Sequence, residues 1–320
     1  GDAPRGLRRW GSLRRVGAPI RYLADAGKAF GTGGELEGSR VTLALSRYLG
    51  SKTWLVRAYP HLIPEPSRGR RAYDCTAGAC SIPLYWLARG QRVVIGDANP
   101  RLIGTLRNLQ TRPDAVIAEL TAPAAVHAQQ GKGWFVAVRY NLNAADPASV
   151  ESSARFLFVL RAGFNGLWRE NGKGECNTPY GDPKPGKDLV RADELRTIAA
   201  LLKRAEIRLG DFEATSADIG AGCALLADPP YVDRSAFVGY SRRGFTLKDR
   251  LRLTAWLRAL DKRGVRWTLT DVATPESMAA HGLWNVDILT VRRSVAANGT
   301  REPAKELVCR NWKEVKEQAA

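Results

Sequence analysis

Between residues 72 and 109, short apolar runs alternate with longer stretches in which apolar positions recur every three or four residues. The runs at 72–76 and 92–96 predict buried strands, and the stretches at 82–89 and 101–109 predict the helices that follow them. The same alternation returns later, with strands at 224–227, 265–270 and 286–291 and a helix over 247–262. Strands separated by helices predict an α/β fold: a twisted, parallel sheet covered on both faces, with ligands at the carboxyl ends of its strands.

The stretch 134–189 has another texture. A helical run over 149–161 contains Phe156, Leu157, Phe158, Val159 and Leu160 in succession, which suits a buried element. It leads into FNGLWRENGKGECNTPYGDPKPGK, dense in Gly, Asn, Pro and Lys. So long a polar, turn-rich excursion in a folded chain points to a binding purpose. The chain is therefore divided into a basic, loosely ordered arm at 1–40, a first half of the main domain at 41–133, an insert at 134–190 and a second half at 191–320.

Composition narrows the classes. With 320 residues and 44% apolar content, there is material for one large α/β domain carrying an insertion, and wholesale disorder is excluded. No stretch approaches the ~20 apolar residues of a membrane span. The formal net charge of +17 favours a polyanionic partner. Arg5, Arg8, Arg9, Arg14, Arg15 and Arg21 make the arm either a DNA-backbone contact or a solvated tail. Five cysteines without a C-x-x-C pair, and only three histidines, argue against a disulfide scaffold and against a zinc site. A reduced, intracellular protein without metal is expected.

Two constellations carry candidate chemistry. Asp228-Pro229-Pro230-Tyr231 follows the apolar run CALLA, so a strand ends in a carboxylate. The prolines fix the next backbone turn and remove two N–H donors, leaving carbonyls to accept, while Tyr231 adds a flat face. Acceptors beside a π-surface suit a planar, amine-bearing heterocycle; the alternative is a turn without chemistry. The second constellation runs from Tyr73 to Cys80, a strand leading through small residues into a helix, with Asp97 closing the next strand. That acid stands where such folds bind ribose hydroxyls, or else it caps a helix starting near Asn99.

These motifs, in this order, resemble the Dam-type DNA adenine-N6 methyltransferases. Residues 47–52, RYLGSK, resemble the family's W-x-G-G-K motif; 154–181 resemble its FNGL-x-R-x-N hairpin; and 237–253 resemble its F-x-x-Y-x-x-x-x-FT stretch. Val291 to Gly299 and Lys305-Glu306-Leu307 resemble its closing segment, so the likeness covers roughly 45–312. It implies a Rossmann-like S-adenosylmethionine-dependent methyltransferase sheet with a mainly helical target-recognition insert. Asp228, Pro229, Pro230 and Tyr231 would be catalytic, the first two accepting the N–H bonds of a flipped adenine. Tyr48, Lys52, Asp74, Gly78, Asp97, Asp211, Phe212 and Asp228 would hold the cofactor. Arg47, Phe164, Asn165, Leu167, Arg169 and Pro179 would meet double-stranded DNA at a GATC-like site, with Leu167 and Pro179 against a thymine methyl. Arg292, Arg293 and Asn298 would add contacts. A cytoplasmic, prokaryotic or phage setting and a companion restriction endonuclease accompany the resemblance.

The sequence departs from the family at its glycine turn. Where the family has P-F-x-G-x-G, this chain has Cys75-Thr76-Ala77-Gly78-Ala79-Cys80. An apolar ring is lost, and Cys80 is expected to narrow the approach to the cofactor and weaken its binding. Two other readings therefore stand beside the enzyme: a DNA-binding protein with an impaired or lost cofactor site, and methylation of RNA or another amine. A redox pair of Cys75 and Cys80 is disfavoured because nothing nearby lowers a thiol pKa.

Overall fold

In the computed structural model, residues 20–23, 44–45, 51–230, 245–292 and 303–313 are described. In chain order they form β1 (Ile20–Leu23), α1 (Thr53–Ala58), β2 (Arg71–Asp74), α2 (Ser81–Ala88), β3 (Arg92–Asp97) and α3 (Pro100–Thr111). The helical insert follows as α4 (Pro113–Ala144) and α5 (Val150–Ala162), then α6 (Ala192–Leu202). Next come β4 (Ala205–Leu209), α7 (Phe212–Thr215), β5 (Ala224–Ala227), α8 (Leu247–Lys262), β6 (Arg266–Val272), α9 (Pro275–His281), β7 (Asn285–Arg292) and β8 (Pro303–Arg310).

The described strands form one sheet in the order β1-β7-β8-β6-β5-β2-β3-β4. All pairs are parallel except those of β8, which runs antiparallel between β6 and β7. From β2 the chain winds outward through β3 and β4, then returns to lay β5 and β6 on the other side of β2. The winding direction therefore reverses between β2 and β5, and a crevice opens there at the strands' carboxyl ends. The Rossmann-like α/β fold expected from the sequence is what the structure shows.

β3 and β5 carry solid apolar runs, VVI and ALLA, because both faces of the central sheet are covered. Ala72, Val93, Ile95, Ala224 and Leu226 enter one core with α1 to α6, while Tyr73, Val94, Leu225 and Ala227 enter the other with α8 and α9. The period of two along each strand sends neighbours to opposite layers. The run Phe156 to Leu160 is at most 1% exposed all round α5. Each such buried Leu or Phe contributes about 1.5–3 kcal/mol, so the insert is welded to the main core. Gly104 on α3 marks the closest seam, since a Cβ there would lie 2.0 Å from the Pro147 carbonyl oxygen.

Three features differ from the sequence expectation. Ile20–Leu23, inside the segment expected to be a loose arm, pairs with β7 as a strand. Its Ile, Tyr and Leu are good strand formers, and it covers a β7 edge that would otherwise be open. β4 and β8 gave no clear signal: β4 is charged at alternate positions, and β8 begins with proline. The division expected at 133/134 falls within α4, two residues after the helical stretch is broken at Gly131 (φ 55°). The Trp134 indole N–H spans this break and donates to the Pro123 carbonyl at 3.0 Å.

Candidate active site

The crevice is a cavity of ≈ 1000 Å³ lined, among others, by Lys52, Asp74, Gly78, Asp97, Asp211, Phe212, Asp228, Pro229 and Pro230. Sequence reasoning had drawn these residues from segments far apart, and the carboxyl edge of the sheet brings them together. Tyr48, Arg47, Tyr231, Arg293 and Asn298 lie outside the described residues, and Arg292 ends β7.

Asp228 emerges directly from β5 and is held from three sides. Its Oδ2 lies 2.7 Å from Lys52 Nζ, and its Oδ1 accepts from Thr270 Oγ1 at 2.6 Å. Its backbone N–H donates to Thr76 Oγ1 at 2.7 Å. Lys52 is the N-cap residue of α1 and is 5% exposed, so the ammonium meets this carboxylate inside the protein. Burial pushes the Asp228 carboxyl above its ordinary range; the charge and hydrogen bond of Lys52, and the Thr270 hydroxyl, oppose that rise.

Asp74 ends β2 and accepts from the Thr76 N–H at 3.1 Å. Burial pushes its carboxyl up to about 8, with the nearby carboxylates of Asp228 and Asp97 acting in the same direction. Asp97 ends β3 and takes two backbone donors, Gly78 N at 3.0 Å and Asn99 N at 2.8 Å. It thereby fixes the turn that Gly78 makes at φ 45°. Asp97 does not cap α3: Asn99 does, accepting from the N–H groups of Arg101 and Leu102. Burial raises the Asp97 carboxyl as well.

At the far wall, Asp211 caps α7 through Ala214 N at 2.9 Å and pairs with Arg252 at 2.8 Å. The Arg252 guanidinium lies 4.5 Å from the centre of the Phe212 ring, a cation–π stack that braces that ring at the cavity. Arg252, Thr76, Thr270 and Glu170 were not among the residues singled out from the sequence. Threonines next to buried acids carry no spacing signal of their own.

In the altered turn the Cys80 thiol donates to the Gly78 carbonyl at 3.8 Å. Cys80 is fully buried in the core on the α2 side and is absent from the residues lining the cavity. It adopts φ 57°, a left-handed conformation that favours glycine. Its side chain therefore costs backbone strain without narrowing the site. Cys75 enters the opposite core, and burial pushes both thiols well up, away from redox reactivity.

Residues 48–291 match the D12 class N6 adenine-specific DNA methyltransferase family. The chain belongs to this family. It is 28% identical to the type II methyltransferase M1.LlaDCHI of Lactococcus lactis subsp. cremoris over 83% of this chain and 94% of that protein. It is 29% identical to a DNA adenine methylase of Vibrio cholerae, again over 83% and 94%. The DNA N-6-adenine-methyltransferase of Escherichia phage P1 is 27% identical over 83% of this chain and 35% of that longer protein. The protein is thus an adenine-N6 DNA methyltransferase, and its reaction needs a methyl donor and a DNA substrate.

The insert of this methyltransferase ends in a hairpin beside the cavity. Bridges pair Gly163 with Tyr180 and Glu170 with Cys176. Asn143 anchors the hairpin on α4 by both accepting from Cys176 N and donating to Cys176 O. Its base is tight: a Cβ on Gly181 would lie 2.4 Å from the Gly163 carbonyl oxygen. Phe164 (43% exposed) and Asn165 face solvent, and Pro179 is half-buried. Leu167, expected on the DNA face, is only 6% exposed, because the hairpin turns that side chain inward. Arg169 donates through Nε to Asn177 Oδ1 at 2.7 Å and through Nη2 to Asn177 O at 3.2 Å. The next residue, Glu170, lines the cavity. Of these two adjacent hairpin residues, Glu170 thus lines the cavity and Arg169 does not. Among the described residues no helix is long and apolar enough to cross a membrane, and no cluster of His, Cys, Asp and Glu is suited to a metal.

Proposed function

We propose that this methyltransferase takes its methyl group from S-adenosylmethionine bound in the β2–β5 crevice and delivers it to N6 of an adenine flipped out of duplex DNA. The observation that carries this reading is the Asp228-Pro229-Pro230 corner opening on the same cavity as Asp97 and Gly78. The residues present fit the cofactor. Asp97 accepts two N–H bonds and, with about four lone-pair sites on a carboxylate, retains acceptor capacity for ribose hydroxyls. Ile82, Pro100 and Phe212 offer apolar faces for a purine, and Asp97, Glu170, Asp211, Asp228 and Asp249 in the lining outnumber Lys52, Lys248 and Arg252, which suits a cationic ligand. Tyr48 and Asp211 complete the proposed cofactor residues. When bound, S-adenosylmethionine supplies an electrophilic methyl carbon on a sulfonium.

The protein's part is positioning. Adenine N6 is nearly planar because its lone pair is delocalised into the ring. Asp228 Oδ and the Pro229 carbonyl accept its two hydrogens and draw the lone pair out toward the donor. Lys52 opposes the rise that burial imposes on the Asp228 carboxyl and so favours the ionised form, which accepts rather than donates. Pro230 holds the corner rigid, and Tyr231 stacks on the flipped base. Because Cys80 is buried in the core and does not line the cavity, it does not favour a decayed, DNA-binding-only pocket.

Target reading is assigned to the hairpin: Arg169 to a guanine edge, worth about 1–3 kcal/mol of discrimination, with Phe164, Asn165 and Pro179 beside it. Arg47, Arg292, Arg293 and Asn298 add base or backbone contacts at a GATC-like site, and the net charge of +17 supports phosphate binding. The enzyme would act in a bacterial or phage-infected cytoplasm, alongside an endonuclease of matching specificity. Incubation with labelled S-adenosylmethionine and unmethylated genomic DNA, followed by sequencing of modified adenines, tests the reading. Methylation confined to GATC-like sites is expected; methylation elsewhere would reassign the target, and none at all would refute the activity.

A further inference from the structure

Asp228 is followed by two prolines, which have no N–H, so its own amide is the sole backbone donor of the corner from 228 to 230. That one donor is bound by Thr76 Oγ1 at 2.7 Å. Thr76 in turn belongs to the turn after β2: its N–H donates to Asp74 Oδ1 at 3.1 Å, and its neighbour Gly78 is tied to Asp97. Thr76 also lines the cavity itself. Thr270 and Lys52 hold the carboxylate of Asp228, whereas Thr76 holds its main-chain N–H where the chain leaves β5 and turns into Pro229.

We propose that Thr76 is a positioning residue for methyl transfer, tethering the catalytic corner to the turn that receives the cofactor. The inference rests on the reading of Asp228 and Pro229 as acceptors of the adenine amine. Both acceptors must converge on one nitrogen, and a carbonyl swung by even an ångström loses its alignment. Thr76 thus adds a side-chain link between the ends of β2 and β5, the two paired strands that flank the crevice.

The test compares Thr76→Val, which keeps the shape and removes the acceptor, with Thr76→Ser, which keeps the acceptor. With cofactor and DNA saturating, Thr76→Val should lower kcat by ~10- to 100-fold while the KM for DNA stays within ~3-fold, and Thr76→Ser should recover most of the loss. Hydrogen exchange at the Asp228 amide, read by mass spectrometry, should speed up in the Val variant and not in the Ser variant, whether or not the protein methylates. An unchanged kcat and amide exchange in Thr76→Val, or a Ser variant as impaired as Val, overturns the proposal. Absence of adenine methylation by the unsubstituted enzyme would instead refute the underlying reading, leaving the exchange result to judge the tether alone.

Discussion

Lys52 Nζ lies 2.7 Å from Asp228 Oδ2, joining the residue that caps α1 to the carboxylate at the end of β5. Burial alone drives the Asp228 carboxyl toward its neutral form, and the ammonium opposes it. Lys52→Gln should therefore raise the Asp228 pKa and move the acidic limb of the pH–rate profile to higher pH. Single-turnover methylation at saturating cofactor, measured across pH, checks this. An unshifted limb would detach Lys52 from the ionisation of Asp228.

The buried Asp74 sets a stability test with a definite sign. Its carboxyl is pushed up from 3.8 to about 8 in the folded protein. Between these values the folded state holds a proton that the unfolded chain has released, so stability falls as pH rises through the window. Asp97 and Asp228 are raised too and act in the same direction. Asp74→Asn keeps an acceptor for the Thr76 N–H and cannot ionise. Its Tm should fall less than that of the unsubstituted protein between pH 5 and pH 8, leaving the variant more stable by a few degrees at pH 8. Parallel Tm curves would contradict this.

Asn177 occupies the Nε–Nη2 edge of Arg169 with its side-chain and main-chain oxygens. These two bonds fix the plane of the guanidinium, as base reading requires. Arg169→Ala should relax one base position of the target, with kcat/KM at that position losing ~5- to 150-fold of discrimination, equivalent to about 1–3 kcal/mol. Kinetics on duplexes substituted base by base provide the readout. Uniform weakening over all sequences, with a shallower salt dependence, would mark a phosphate contact instead.

Cys80→Gly relieves a left-handed residue, worth roughly 1 kcal/mol, and removes a buried thiol of comparable value. Stability should change little. Because Cys80 does not line the cavity, cofactor affinity by calorimetry should stay within ~2-fold, a change that follows from adding no new contact. A large gain in affinity would mean that the sulfur does obstruct the site.

The place of Asp228, Pro229 and Pro230 at the cavity was legible in the sequence because it is local: they follow one another, and the apolar run before them can only be a strand. The β3 and β5 strands were legible for a related reason, since burial on both faces leaves unbroken apolar runs, VVI and ALLA. β4 was not, because its edge position tolerates Glu206 and Arg208, and the alternation that remains is weak. Nor were Thr76, Thr270 and Arg252. Their roles exist only once strands and helices distant in sequence converge on Asp228 and Phe212. The Cys80 substitution was visible, but the direction of its side chain was set by the core, so the sequence suggested an obstruction that the fold avoids.

The most direct test of the account compares the unsubstituted enzyme with Asp228→Ala, using radiolabelled S-adenosylmethionine and unmethylated duplex DNA, with digestion to nucleosides and quantification of N6-methyladenine. The unsubstituted enzyme should label adenine N6. Asp228→Ala should lose at least ~10²–10³-fold in rate while retaining DNA affinity within about threefold, because the carboxylate acts on the amine and not on the backbone. Undiminished N6 methylation by the Asp228→Ala protein would contradict the central claim that this carboxylate prepares the nitrogen for transfer.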